Sequence, residues 1–319
     1  MMIRLALVVL VVATALAAFL SLPTTSSVSI PPASFVKYQG NPILGPQGQG
    51  FEARAAFNPA AVVKDGKVYL LYRAQDALGI STIGLASSQD GLHFTRRSEP
   101  VLTPEQDYER RGVEDPRVVR FGSTYYLTYT AYDGHAAKLA LATSKDLIHW
   151  DRRGVILPEL YWSKSGAIVP RKVNGRYVMY FGDTDVWLAT SLDLIHWDVR
   201  KEPVLRRRSG SFDSTGVEPG PPPLITQRGI LLFYNGWDAA ITYRTGRVLF
   251  SLKDPSVVLE RTNQPMLEPS KSWELHGQVP KQVLFIEGLV RWKGAWYLYY
   301  GGGDSRVGVA IAVAEKMRR

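Results

Sequence analysis

Five times along the chain a strand-like run of Tyr and aliphatic residues passes through a polar turn into a second run of small residues, Ser and Asp. The first runs are Val68–Tyr72, Tyr125–Tyr129, Tyr177–Tyr180, Ile230–Tyr234 and Trp296–Tyr300, and four followers start at Leu85, Leu141, Leu188 and Leu249. The fifth follower is only Val309-Ala310-Ile311-Ala312. A period of roughly 45 to 60 residues that alternates β-formers with turns specifies a β-propeller, and five copies specify five blades. The fold expected is therefore all-β, a single five-bladed β-propeller with an axial active-site funnel. Because a propeller gathers the innermost strand of each blade around one axis, function is sought where those strands begin.

Glycine turns set the blade register at Asp65-Gly66, Phe121-Gly122, Asn174-Gly175, Arg228-Gly229 and Lys293-Gly294. Counting 14 residues back from Tyr72, Tyr129, Tyr180, Tyr234 and Tyr300 reaches Asn58, Asp115, Gly166, Gly220 and Ile286, which lies beside Glu287. Four acids, Glu114, Asp115, Glu218 and Glu287, thus converge from three blades. Converging carboxylates on a concave β scaffold suit glycoside cleavage, in which one protonates the leaving oxygen and another activates water or attacks. The competing reading is structural, with these acids capping turns or pairing with Arg54, Arg73, Arg117 or Arg171. By contrast, His93, His149 and His196 recur in Asp-x-x-His-aromatic turns, so they belong to the repeat. His135 and His276 alone make no metal site, and neither metal nor cofactor is expected.

Charge and the termini narrow the class further. The 319 residues carry a net charge of +9, but the basic residues fall in pairs and triplets around the repeats, which argues against nucleic acid as a partner. Absence of Cys excludes a disulfide scaffold and thiolate metal sites. Arg4 followed by the apolar run Leu5–Leu20 and by Ala15-Leu16-Ala17 is read as a signal peptide or uncleaved anchor over residues 1–22. Residues 23–34 then form a linker and 35–319 the catalytic propeller. The expected location is secreted or periplasmic, with membrane attachment only through an uncleaved anchor.

The ordered set Asn58-Pro59-Ala60, Tyr72-Arg73-Ala74, Glu114-Asp115-Pro116-Arg117, Gly220-Pro221-Pro222-Pro223, Glu287-Gly288-Leu289-Val290 and Tyr300-Gly301-Gly302-Gly303-Asp304 resembles glycoside hydrolase family 130 from about Asn41 to Ala314. That family comprises five-bladed propellers acting on β-mannosides, so the resemblance implies a mannose-containing glycan as substrate. It further implies that Asp115 is the general acid, working through a substrate hydroxyl, and that Asn58, Arg73 and Asp304 contact the sugar. Glu114 and Arg117 of the same motif are placed with the substrate-binding residues, while Glu218 and Glu287 match the bases of the mannosidase members.

Members of the family transfer the mannosyl group either to phosphate or to water. The phosphorylase pattern has a Lys before the proline segment and Tyr-His-Gly after the next strand, where this chain has Thr215-Gly216-Val217-Glu218 and Tyr234-Asn235-Gly236. A carboxylate at Glu218 would repel phosphate and suits a base that activates water. Inverting hydrolysis of a β-mannoside is therefore the leading expectation. Phosphorolysis is the alternative, with Lys164, Arg171 and Lys172 as sources of positive charge. A noncatalytic sugar-binding propeller and an unrelated arabinanase- or sialidase-like propeller complete the set, though retention of all three acids favours an enzyme.

Overall fold

The computed structural model describes residues 30–313 apart from 33, 279 and 280. The expected signal or anchor segment, and most of the linker, lie outside the described residues. What is described is nearly all strand, with helix limited to short pieces such as Ser272–Leu275.

Four strands build each blade. The innermost strands are Ala55–Lys64, Gly112–Phe121, Ala167–Ile168, Gly216–Pro219 with Leu224–Ile225, and Gln282–Trp292. Each pairs antiparallel with the Tyr-rich second strand, which pairs with the follower. Short outermost strands Thr95–Arg96, Asp151–Val155, Trp197–Val199 and Val258–Arg261 complete blades one to four. In blade five the outermost place is taken by Val36–Lys37, which precedes blade one in the chain and pairs with Ile311 and Ala310. Five hydrophobic clusters fill the spaces between successive blades, the last joining Val290 and Tyr299 of blade five to Leu70 and Val68 of blade one. The ring is closed by packing as well as by pairing.

The turns behave as the repeat predicts. Asp65-Gly66, Asn174-Gly175 and Lys293-Gly294 all have positive φ at both positions, the backbone that a two-residue hairpin needs. In the recurring Asp-x-x-His turns, Oδ1 of Asp90, Asp146 and Asp193 accepts two backbone N–H groups, and Oδ2 meets the His Nδ1 at 2.7, 2.7 and 2.8 Å. These histidines are exposed parts of a turn.

A buried polar staple recurs in four blades. The loop entering the innermost strand supplies an acid, the second strand supplies a Tyr hydroxyl that donates to it, and the outermost strand supplies a cation. The sets are Glu52 with Tyr72 and Arg96, Glu109 with Tyr129 and Arg152, Asp213 with Tyr234 and Arg261, and Glu274 with Tyr300 and Lys37. The rings need room: a Cβ on Gly84 or Gly308 would lie 2.5 or 2.4 Å from a carbon of Tyr72 or Tyr300.

Blade three departs from this pattern. Phe181, not Tyr180, faces the preceding blade as the staple tyrosines do, so the repeat is offset by one residue there. Tyr180 turns toward blade four and donates to the Pro255 carbonyl at 2.8 Å. Val199 stands where the other outermost strands place the cation, and Trp187 stands opposite Phe181.

Lys37 reaches Glu274 at 2.5 Å, and the carboxylate is fully buried. Removing one partner of a buried pair leaves the other charge uncompensated, so Lys37→Met should cost about 3–5 kcal/mol in urea unfolding. Lys64→Met, which breaks the solvent-exposed pair with Asp65, should leave the midpoint unmoved. Equal midpoints for the two variants would mean that the staple does not hold blade five shut.

Candidate active site

Irregular strand starts are what aim side chains into the axis. In blades one and two the pairing skips a step between Phe57 and Pro59 and between Glu114 and Arg117. The extra residues, Asn58 and Asp115, sit at φ 45° and 49°, in the left-handed region that Asn and Asp enter most readily among residues with a Cβ. Ser165, ahead of the blade-three strand, has φ 57°. In blade five the skip comes at Glu287, between Ile286 and Gly288.

The axial cavity has a volume of about 350 Å³. Asn58, Asp115, Glu218 and Asp304 line it with Phe57, Tyr243 and Phe285, and so do the cations Arg54, Arg73, Arg111, Lys164 and Lys281. Aromatic faces with converging polar groups are the usual composition of a small-molecule site. Asn58 Nδ2 donates to Asp115 Oδ1 at 2.9 Å and Arg73 Nη1 to the same oxygen at 3.3 Å, so neither bond engages Oδ2. Arg73 also bonds Glu114 Oε1 at 2.7 Å and Ser81 at 2.9 Å, and its guanidinium lies over the Phe57 ring.

Electrostatics separates the acids. Burial pushes the Asp115 carboxyl up, but Arg73, Lys164 and the Asn58 hydrogen bond outweigh it and hold it below the ordinary carboxylate range. Burial raises Glu218, with Lys164 at 3.9 Å and Arg117 offsetting only part, and its Oε1 accepts a hydrogen bond from Ser165. Burial likewise raises Asp304 against the pull of Arg73. Burial opposes the Lys164 charge, yet Glu218 and Asp115 hold that amine above its usual value. Arg54, Arg111 and Lys281 have no carboxylate within 4.0 Å among the described residues.

Five of the eight residues expected at the site face the cavity: Asn58, Arg73, Asp115, Glu218 and Asp304. Three stand behind its wall. Glu114 holds Arg73. Arg117 is fully buried, donating to the carbonyls of Gly220 at 2.9 Å, Pro219 at 2.7 Å and Asp115 at 3.1 Å. Prolines break the blade-four strand and leave such carbonyls without partners, so Arg117 is a tie between blades. Glu287 is fully buried, 3.2 Å from Arg117 Nη1 but without a hydrogen bond, and burial raises its carboxyl strongly. Glu287, expected as a base in the funnel, is not among the residues that line the cavity, where its displaced bulge presents Phe285.

Other expectations also change. Of the three cations named in blade three, Lys164 reaches the cavity, whereas Arg171 and Lys172 are exposed elsewhere. Asn235, at the family's His position, exchanges hydrogen bonds with the Ile286 backbone at 2.8 and 3.1 Å and so locks blade four to blade five. Arg111, Tyr243 and Lys281 were missed, because Arg111 and Lys281 lie in loops and Tyr243 lies in the third strand of blade four, away from the innermost-strand starts that the count reaches. Among the described residues no group of three or more His, Asp or Glu side chains is placed to hold a metal ion.

Comparison with known proteins adds a second line. Residues 36–318 match glycoside hydrolase family 130, described as beta-1,4-mannooligosaccharide phosphorylase. A 1,2-beta-oligomannan phosphorylase of Thermoanaerobacter sp. (strain X514) is 40% identical over 283 residues, 85% of this chain and 94% of the relative. A beta-1,2-mannobiose phosphorylase of the same strain is 36% identical over 300 residues, 88% of this chain and 98% of the relative. One similar solved structure bears the words "The GH130 family of mannoside phosphorylases contains glycoside hydrolases that target beta-1,2 mannosidic linkages in Candida mannan". It is 35% identical with a TM-score of 0.84, covering 92% of this chain and 96% of that one.

Burial favours the neutral form of the Glu287 carboxyl, and an amide mimics that form. Glu287→Gln should therefore keep turnover and unfolding midpoint close to wild type. Steady-state kinetics showing a severe loss would instead put a working carboxylate behind the wall.

Proposed function

As the chain belongs to glycoside hydrolase family 130, we propose that it cleaves β-1,2-mannosidic bonds and passes the mannosyl group to inorganic phosphate. Activity on a glycoside is common to the family's curated relatives; the linkage and the acceptor are the proposal. The linkage rests on the 40% and 36% identical relatives, both named for β-1,2-linked mannosides. Hydrolysis, the leading expectation from the sequence, gives place to phosphorolysis because those relatives are phosphorylases.

The observation that carries the acceptor is the set of cations at the cavity, Arg54, Arg111 and Lys281, that meet no carboxylate among the described residues. Guanidinium and ammonium groups gathered at one cavity, even where they are exposed as Arg54 and Arg111 are, favour a dianion. Burial favours the neutral form of the Glu218 carboxyl, which weakens the argument from like-charge repulsion. Phosphate also answers a problem posed by Asp115. Its neighbours hold it ionised, yet an acid must carry a proton, and a dianion beside Lys164 cancels part of the field that strips it.

In the step proposed, a phosphate oxygen attacks the anomeric carbon from the face opposite the leaving oxygen. The glycosidic bond breaks, and the proton of Asp115 Oδ2 reaches the leaving oxygen, directly or through a substrate hydroxyl. The products are α-mannose 1-phosphate and a chain shortened by one mannose. Asn58 and Arg73 fix the other oxygen of Asp115, and Asp304 accepts hydroxyls of the bound sugar.

One observation favours hydrolysis as a second reading. Glu218 lines the cavity with Lys164 nearby, and in its ionised form it would accept a proton from water.

Incubation of β-1,2-mannobiose with and without inorganic phosphate decides between the two. Phosphorolysis gives α-mannose 1-phosphate only when phosphate is present, and free mannose at equal rates with and without it establishes hydrolysis. On either reading Asp115→Asn should lower turnover about 10²- to 10⁴-fold while the sugar still binds. Near wild-type turnover in that variant would remove Asp115 from the acid role.

A further inference from the structure

We infer that the rim of blade three carries a second sugar-binding cleft, which takes the outlying mannosyl units of longer β-mannoside chains; this inference rests on the activity proposed above. The cleft has a volume of about 250 Å³ and is lined by Trp162, Lys164, Phe181, Asp183, Trp187 and Val199 among others. Lys164 also lines the axial cavity, so the two spaces share a wall residue.

The cleft exists because blade three lacks the staple. Phe181 replaces the staple tyrosine, Val199 the cation, and Trp187 the residue opposite, and all three line the opening. Where the other blades carry a buried acid in the loop before the innermost strand, this loop presents Tyr161 and Trp162, 67% and 46% exposed. They are held in place all the same. Trp162 Nε1 donates to Asp183 Oδ2 at 2.7 Å, and the Tyr161 hydroxyl donates to the His135 carbonyl at 3.1 Å. Lys138 holds the Leu160 carbonyl and lies 5.9 Å from the Tyr161 ring centroid. Rings fixed before binding lose little freedom when a ligand arrives.

The occupant follows from chemistry. A β-mannosyl ring has its axial hydrogens at carbons 1, 3 and 5 on one face, a flat apolar surface that lies on an indole. Its hydroxyls project at the edges, where Asp183, Thr184 and Asp185 offer acceptors. Asp183 and Asp185 outnumber Lys164 in the lining, a balance that disfavours an anionic ligand such as a nucleic acid or a phosphorylated sugar.

The test compares kcat and KM for β-1,2-mannobiose and β-1,2-mannotetraose, with phosphate present, in the wild type, Trp162→Ala and Trp162→Phe. Loss of a stacking surface should raise KM for the tetraose about five- to tenfold in Trp162→Ala. Its kcat, and both constants for the biose, should stay unchanged, and Trp162→Phe should recover most of the difference. A KM for the tetraose that does not move, or that moves in step with the biose, overturns the cleft while leaving the activity intact. Wild-type protein that cleaves neither sugar overturns the activity and the cleft with it.

Discussion

The carboxylate shared by a tyrosine hydroxyl and a cation is the contact on which this ring depends. It joins three layers of one blade: the entry loop, the second strand and the outermost strand. Strand pairing alone holds neighbours within a sheet, but nothing in it fixes how the loop before the innermost strand meets the blade. The staple does that, and so sets where Asn58, Asp115 and their neighbours emerge at the axis. Charges buried this deeply contribute little net stability against an apolar core; what they supply is a single arrangement, since any other leaves a charge unpaired.

The blade without a staple shows how structure and function divide the same positions. With Phe181, Val199 and Trp187 in place of the polar set, blade three gives up one fixed contact and gains an opening beside the active site. Its loop is held by other means, through Lys138, His135 and Asp183. Substitutions at all three positions fit together, as expected when one interaction is replaced rather than eroded.

Much of this was legible in the chain. The strand runs, the Asp-Gly and Asn-Gly turns and the Asp-x-x-His turns each have a local cause, so five blades and their hairpins could be counted. Asn58 and Asp115 could be placed because their bulges lie at the same distance from the closing tyrosine. Glu287 could not, since its bulge falls at a different step and reverses which side chain faces the axis. Phe181 was hidden by Tyr180, whose identity matched the repeat while its direction did not. The staple acids lay in loops outside the repeat, and the fourth strand of blade five lay some 270 residues from its partner, beyond the reach of any periodic signal.

Val36 and Ile311 are partners in one ladder, so the segment that closes the ring must wait while the intervening chain is synthesised. Until Arg306–Val313 is available, Lys37 has no seat and Glu274 no counter-ion, and blade five presents an open edge next to blade one. Contacts so distant along the chain are made late and slowly. Four blades hold strands that are near one another in the chain, whereas the circle is complete only when the opening strand meets the last one.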